Sequence, residues 1–161
     1  MAGFSFENWQ VLVVDDEPDN LMLLEYVLTF HNVCVTSTRS GEAALKLIKE
    51  HAYPLALVDI QMPRISGWDI VKRIRSDENP QIRCMNVIAV TALAMAGDED
   101  RIIRSGFDGY IVKPIDAPTF AQTIQTILDR VQSRVSYSPS EKTLFQEPLT
   151  DRTDLIASNE A

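Results

Sequence analysis

The chain has 161 residues, 45% of them hydrophobic and 24% charged, a make-up that suits one compact globular domain and excludes a fibrous or largely unfolded polypeptide. Its formal net charge of −8 excludes a basic nucleic-acid footprint, because neutralising phosphates takes clustered Lys and Arg. No stretch approaches the roughly 20 apolar residues of a membrane span, and the opening MAGFSFENWQ has neither a basic nor an apolar leader segment, so a soluble, cytoplasmic protein is expected.

In chain order, the first apolar run is VLVV at 11–14, which stops at Asp15 and Asp16. Short, continuous and β-branched, it suits a strand buried on both faces of a parallel sheet. Pro18 fits the first turn of a helix whose apolar stripe is Leu21, Leu24, Val27 and Leu28. A second run at 33–35 precedes Ser40, a helix cap, and a stripe of Ala44, Leu45 and Ile48. The third run, 55–58, ends at Asp59, ahead of a turn-rich connection and the stripe Ile70, Val71 and Ile74. The fourth, 87–90, ends at Thr91 and leads to a weaker stripe of Ile102 and Ile103 that Gly106 can close. The fifth, 110–112, ends at Lys113 and Pro114, before Phe120, Ile124, Ile127 and Leu128. This βα alternation, five times over, predicts right-handed crossovers and a doubly wound parallel sheet, with a ligand site outside the carboxyl ends of its strands.

The residues at those ends carry the chemistry. Asp15, Asp16 and Asp59 put three carboxylates together if the first and third strands are neighbours, and like charges that close repel unless a cation joins them. With no His or Cys beside them, Mg²⁺ suits the set better than Zn²⁺. The structural alternative for Asp15 and Asp16 is capping of the helix at Pro18. Asp59 is a plausible nucleophile, since aspartate can form an aspartyl-phosphate, though taken alone it is equally a loop acid. Lys113 supplies a point charge for a phosphate or for a carboxylate pair. Thr91 offers a hydroxyl to a phosphoryl oxygen, or else is a helix cap or an ordinary strand-end threonine.

Other polar and reactive residues read more plainly. Cys34 and Cys84 match no metal spacing and are expected as small buried thiols in a reducing compartment. His31 and His51 read as helix-end residues, and Trp9 and Trp68 as packing residues. From about Gln132 the helical periodicity fails and polar residues dominate. A domain at 1–132 followed by a tail at 133–161, flexible or partner-binding, is therefore expected.

Taken in order, VLVVDDEPDN, LALVDIQMPRISGWD, VIAVTALA and GYIVKPI resemble the segments of the receiver domain of two-component response regulators, over roughly the first 130 residues. The resemblance implies a flavodoxin-like (βα)₅ fold with strand order 2-1-3-4-5 and Mg²⁺-dependent transfer of a phosphoryl group from a phosphohistidine to Asp59. It implies that Asp16, Asp59 and the main-chain carbonyl of Gln61 ligate the metal, with Asp15 acting mostly through water. Thr91 and Lys113 would contact the phosphoryl oxygens. Tyr110 would be the switch aromatic that turns inward as Thr91 moves, and Gln61 and Leu93 would border the route of attacking water. The implied partners are a sensor histidine kinase or histidine phosphotransfer protein and a downstream protein target, with a phosphorylation-dependent homodimer as a further option. Output would run through the fourth helix, fifth strand and fifth helix, around 101–125.

Two other classes fit less well. A Mg²⁺-dependent phosphohydrolase with an aspartyl-phosphate intermediate resembles haloacid dehalogenases, whose DxDx[TV] motif is absent from Asp15-Asp16-Glu17-Pro18. A flavin carrier needs a small, uncharged phosphate loop where this chain has DDEPDN. The expectation is a self-modifying switch with no turnover of an external substrate, and no output module is expected in the acidic, short tail.

Overall fold

The computed structural model describes residues 3–93 and 95–137. Five strands, β1 (Gln10–Val14), β2 (Cys34–Thr38), β3 (Leu55–Val58), β4 (Asn86–Thr91) and β5 (Gly109–Val112), form one sheet. All four pairings are parallel and the order is β2-β1-β3-β4-β5. Six helices connect and follow them: α1 (Pro18–Phe30), α2 (Gly41–Glu50), α3 (Gly67–Arg75), the short α4 (Pro80–Arg83), α5 (Asp98–Arg104) and α6 (Ala117–Tyr137). The chain through Leu128 makes one compact unit.

The strands alternate their side chains between two cores, as a pleated backbone requires. Val11, Val13, Leu55, Leu57, Ile88 and Val90 pack with α1 and α6 on one face. Leu12, Val14, Ala56, Val58, Val87 and Ala89 pack with α2, α3 and α5 on the other. This two-sided burial is why β1, β3 and β4 read as unbroken apolar runs.

Local signals account for the helix ends. Pro18 stands in the first turn of α1, the Ser40 hydroxyl accepts from the Ala43 amide at α2, and Gly106 follows α5 with φ +112°, a conformation glycine tolerates. His31 and His51 are the C-caps of α1 and α2. α4 is an addition to the βα alternation. Asn79 caps it through the Gln81 amide at 3.0 Å, with Pro80 opening the turn.

Three expectations change. β2 is displaced toward Thr38 and is only half covered, because it is the edge strand and pairs with β1 alone. Cys34 and Cys84 are exposed instead of buried. Cys34 opens that edge strand, and Cys84 caps the one-turn α4, so neither reaches a core. α6 runs beyond Gln132 to Tyr137, and the remainder of the segment expected as a tail lies outside the described residues. Among the described residues no helix is long and apolar enough to cross a membrane.

Candidate phosphoacceptor site

The parallel register brings the strand ends to one edge. Val14 is opposite Val58, Val58 opposite Ala89, and Thr91 opposite Val112. Each strand hands its next residue to that edge with a ladder bond: the Asp59 amide donates to the Val14 carbonyl at 2.8 Å, the Asp15 amide to Thr38 at 3.2 Å and the Lys113 amide to Thr91 at 2.9 Å. Asp15, Asp59 and Thr91 are the buried polar residues there, 1%, 5% and 0% exposed.

Asp15, Asp16 and Asp59 each offer a carboxylate oxygen, all within 4.8 Å of one another. The Lys113 ammonium enters this cluster, 2.7 Å from Asp15 Oδ2 and 3.3 Å from Asp59 Oδ2. The remaining lone pairs find backbone donors: Asp15 Oδ1 accepts from the Glu17 amide at 2.9 Å, and Asp59 Oδ1 from the Gln61 amide at 3.2 Å. Asp15 thus bends the chain into α1 from outside it, since Glu17 is the N-cap residue and its side chain makes no capping bond. The Asp16 carbonyl is held by Arg39 Nε at 3.2 Å.

Burial pushes the Asp59 carboxyl above its ordinary range; the Lys113 charge opposes this and the Asp15 charge reinforces it. For Lys113, burial alone would lower its affinity for the proton. The bond to Asp15 and the charges of Asp59 and Asp15 outweigh it, so its pKa rises. Three carboxylates and one ammonium leave a net negative pocket lined by oxygen donors. That set fits a hard divalent cation, since such ions take carboxylate oxygens and water.

Asp15, Asp16, Asp59, Thr91 and Lys113 come together at this edge, whereas Tyr110 lies within β5, opposite Ala89. Thr91 is buried at the end of β4, its hydroxyl oxygen accepting from the Leu93 amide at 3.2 Å. Tyr110 and Leu93 are partly buried against the α2/α3/α5 core. Gln61 lies two residues past Asp59 and is fixed through its amide. The Lys113–Pro114 peptide bond is cis.

Two further residues shape the site without having been picked out. Gly67 closes the loop after Asp59: its amide donates to the Ile60 carbonyl at 2.9 Å, and a Cβ there would stand 2.5 Å from the Asp59 carbonyl oxygen. The SG ahead of a helical stripe was a visible signal for it. Asn20, whose amide nitrogen is 3.5 Å from Asp15 Oδ1, had none.

A parallel sheet with this order and an acidic, lysine-bearing pocket at its carboxyl edge define a doubly wound α/β phosphate- or cation-handling domain. The chain belongs to the response regulator receiver domain family, whose pattern matches residues 11–156. It is 42% identical over 118 residues to the polar-differentiation response regulator DivK of Brucella ovis, an alignment covering 73% of this chain and 94% of that protein. The DivK of Brucella anthropi is 41% identical over the same shares. Among solved structures, it is similar to the receiver domain of the sensor histidine kinase PA1611 from Pseudomonas aeruginosa, described with a magnesium ion in its active-site cleft. That match has a TM-score of 0.67 and 27% identity, and covers 80% of this chain and 99% of the other. The chemotaxis protein CheY4 of Vibrio cholerae has the same fold at a TM-score of 0.69 and 23% identity, over 74% of this chain and 98% of that one. Membership of the family makes the chain a self-phosphorylating and self-dephosphorylating element of a two-component system; it is not a catalyst for an external substrate.

Proposed function

We propose that Asp59 is the phosphoacceptor, and that the chain takes a phosphoryl group from a histidine kinase or phosphotransfer protein and passes the signal on by changing shape. The single observation carrying this is the Lys113 ammonium shared between Asp15 and Asp59 beside Asp16. One buried carboxylate thereby has a cation partner and a metal-type oxygen cluster on either side.

An Asp59 carboxylate oxygen attacks phosphorus, a P–O bond forms, the P–N bond to the donor imidazole breaks, and the electron pair stays on that nitrogen. This chain's part is positioning and charge neutralisation. Asp15, Asp16, Asp59 and the Gln61 main-chain carbonyl would hold Mg²⁺, which when bound supplies neutralisation of phosphoryl charge. Lys113 opposes the burial that raises the Asp59 pKa, and is in place to meet a phosphoryl oxygen. Thr91 would trade its bond from the Leu93 amide for a bond to the phosphoryl group. Tyr110 would follow it, and output would leave through α5, β5 and the first half of α6.

The donor is a protein with an apolar docking face. α1 begins two residues past Asp16, and Met22, Tyr26 and Phe30, spaced four apart on its outer side, are 68%, 71% and 75% exposed. A run of large apolar side chains on the surface beside a reaction pocket marks an interaction face. The working unit is the segment 1–132, with 133–161 as a tail that binds a partner or none.

The test is incubation of the whole chain with acetyl phosphate and Mg²⁺, read by intact mass. Wild type gains one phosphoryl group and Asp59→Ala gains none; equal gains would remove Asp59 as the acceptor. EDTA abolishes labelling of the wild type.

A further inference from the structure

A second charged site shares no lining residue with the Asp15, Asp16 and Asp59 cluster. Between α3 and α5 is a cavity of about 230 Å³ lined by Trp68, Lys72, Arg101 and Ser105. The lining comes from α3, through Trp68 and Lys72, and from the end of α5, through Arg101 and the C-cap residue Ser105, each pair one turn apart.

The cavity is built more firmly than two surface cations would be. Trp68 packs edge-on against the buried Phe107, with ring centres 6.0 Å apart. The Arg101 guanidinium carbon stands 4.6 Å from the centre of the Trp68 ring, a cation–π contact that fixes a side chain otherwise free to rotate. The Ser105 hydroxyl donates to the Arg101 carbonyl at 2.7 Å, placing its oxygen against the same turn.

Its charges have no close partner among the described residues. Neither Lys72 nor Arg101 forms an ion pair, although the chain carries a net charge of −8. Two acids on these helices, Asp69 and Asp98, are engaged elsewhere. The Asp69 carboxylate, which feels the Arg73 and Lys72 charges, accepts from the Ser66 amide and hydroxyl, both at 2.9 Å. Asp98, in the first turn of α5, accepts from the Met95 amide at 2.8 Å. No carboxylate lines the cavity. A concave space with two cations outside any ion pair, one of them a guanidinium seated on an indole ring, is a receptor for an oxyanion, because a guanidinium meets phosphate through paired N–H groups.

We propose that this cavity between α3 and α5 binds a small phosphate-class oxyanion, held by Arg101 and Lys72 over the Trp68 ring. Its volume suits a phosphate or diphosphate group with little organic remainder. The bound anion would bridge α3 to α5.

Pyrophosphate is the probe, titrated into the whole chain in EDTA at constant ionic strength set with chloride. EDTA leaves the acidic Asp59 pocket repulsive to anions, so the two sites are separated. Tryptophan fluorescence is read in wild type, in Trp9→Phe, which keeps only Trp68, and in Lys72→Ala and Arg101→Ala. Both alanine positions are exposed on helices, and amide chemical shifts of each variant check that its fold is kept. The expected result is a saturable change retained in Trp9→Phe and weakened about tenfold or more in each alanine variant, the loss of one charge-assisted contact. Amide shift changes centred on Trp68, Lys72, Arg101 and Ser105 are expected alongside. A linear, unsaturated response, one equal in wild type and the alanine variants, or one lost in Trp9→Phe would overturn the proposal.

Discussion

At the scale of single residues, the pocket is a balance between repulsion and one lysine. Asp59 is buried beside Asp15, and burial first, then the Asp15 charge, raises its pKa while Lys113 lowers it. A carboxyl raised in the folded state contributes stability that is full below its ordinary pKa of 3.8 and lost as pH rises through the folded value. In EDTA, Asp59→Asn should therefore melt higher than wild type at pH 7 by roughly 2–4 °C, about 1 kcal/mol after screening by water at the open rim. The gap should close as the pH approaches 4. Added Mg²⁺ should raise the melting temperature of wild type and leave the variant unmoved; a gap independent of pH would show that Asp59 is not strained as an anion. Lys113→Ala has the opposite sign. It leaves Asp15 and Asp59 buried without their cation, a loss of about 3 kcal/mol of stability in EDTA. Mg²⁺ should restore much of it, because the oxygen cluster is untouched, while phosphorylation-dependent partner binding is lost. Urea unfolding with and without Mg²⁺ checks the first part, and a pull-down with and without acetyl phosphate the second.

At the scale of elements, the loop from β3 to α3 is the tightest part of the site. Gly67 opens α3 with its Cα against the backbone of Asp59 and Ile60, and an added Cβ would meet Ile60 Cα at 2.6 Å. Backbone cannot rotate away as a side chain can, so Gly67→Ala should cost about 1–3 kcal/mol in urea unfolding. It should also slow acetyl phosphate labelling, because the displaced atoms include those of Asp59, the proposed acceptor; labelling at the wild-type rate would mean the loop yields elsewhere. Arg75, at the other end of α3, holds a second junction. Its guanidinium donates to the carbonyls of Gly106, Arg83 and Met85 and to Asp108 at 2.7–2.8 Å, tying α3 to the segments before β4 and β5. Nothing in its sequence setting, one basic residue among three in the last turn of an amphipathic helix, distinguishes it from solvated neighbours. By contrast, the helix stripes at 21–28, 70–74 and 120–128 were legible, because helices on a sheet bury one face and show the period of that face. β2 was legible only in part. An edge strand needs no apolar run on both sides, so Thr36, Ser37 and Thr38 carry it unseen.

At the scale of the whole molecule, α1 joins the acidic pocket to an exposed apolar stripe, because it starts where β1 delivers Asp15 and Asp16. Its inner residues Leu21, Leu24, Val27 and Leu28 are spent on the core, yet Met22, Tyr26 and Phe30 remain outside. Replacing Tyr26 and Phe30 together by Ser should leave stability within about 0.5 kcal/mol per site. Transfer from a phosphohistidine donor protein should fall about tenfold or more, while acetyl phosphate labelling stays at the wild-type rate. Equal effects on both donors would place the defect in the pocket and remove α1 from the docking face.

By itself the sequence determined the alternation of buried strands and amphipathic helices, the strand ends on which Asp15, Asp16, Asp59, Thr91 and Lys113 fall, and the net acidic character. These are local or compositional properties, written in period, run length and charge. Only the tertiary structure decided that Lys113 is shared between Asp15 and Asp59, residues 98 and 54 positions away. It alone decided that both cysteines are exposed, that Arg75 is a junction, and that Trp68, Lys72, Arg101 and Ser105 line one cavity. Each of these depends on which strand lies beside which and which helix covers which face. Pairings between distant segments are fixed by the packing of the whole sheet, and no window of sequence contains them.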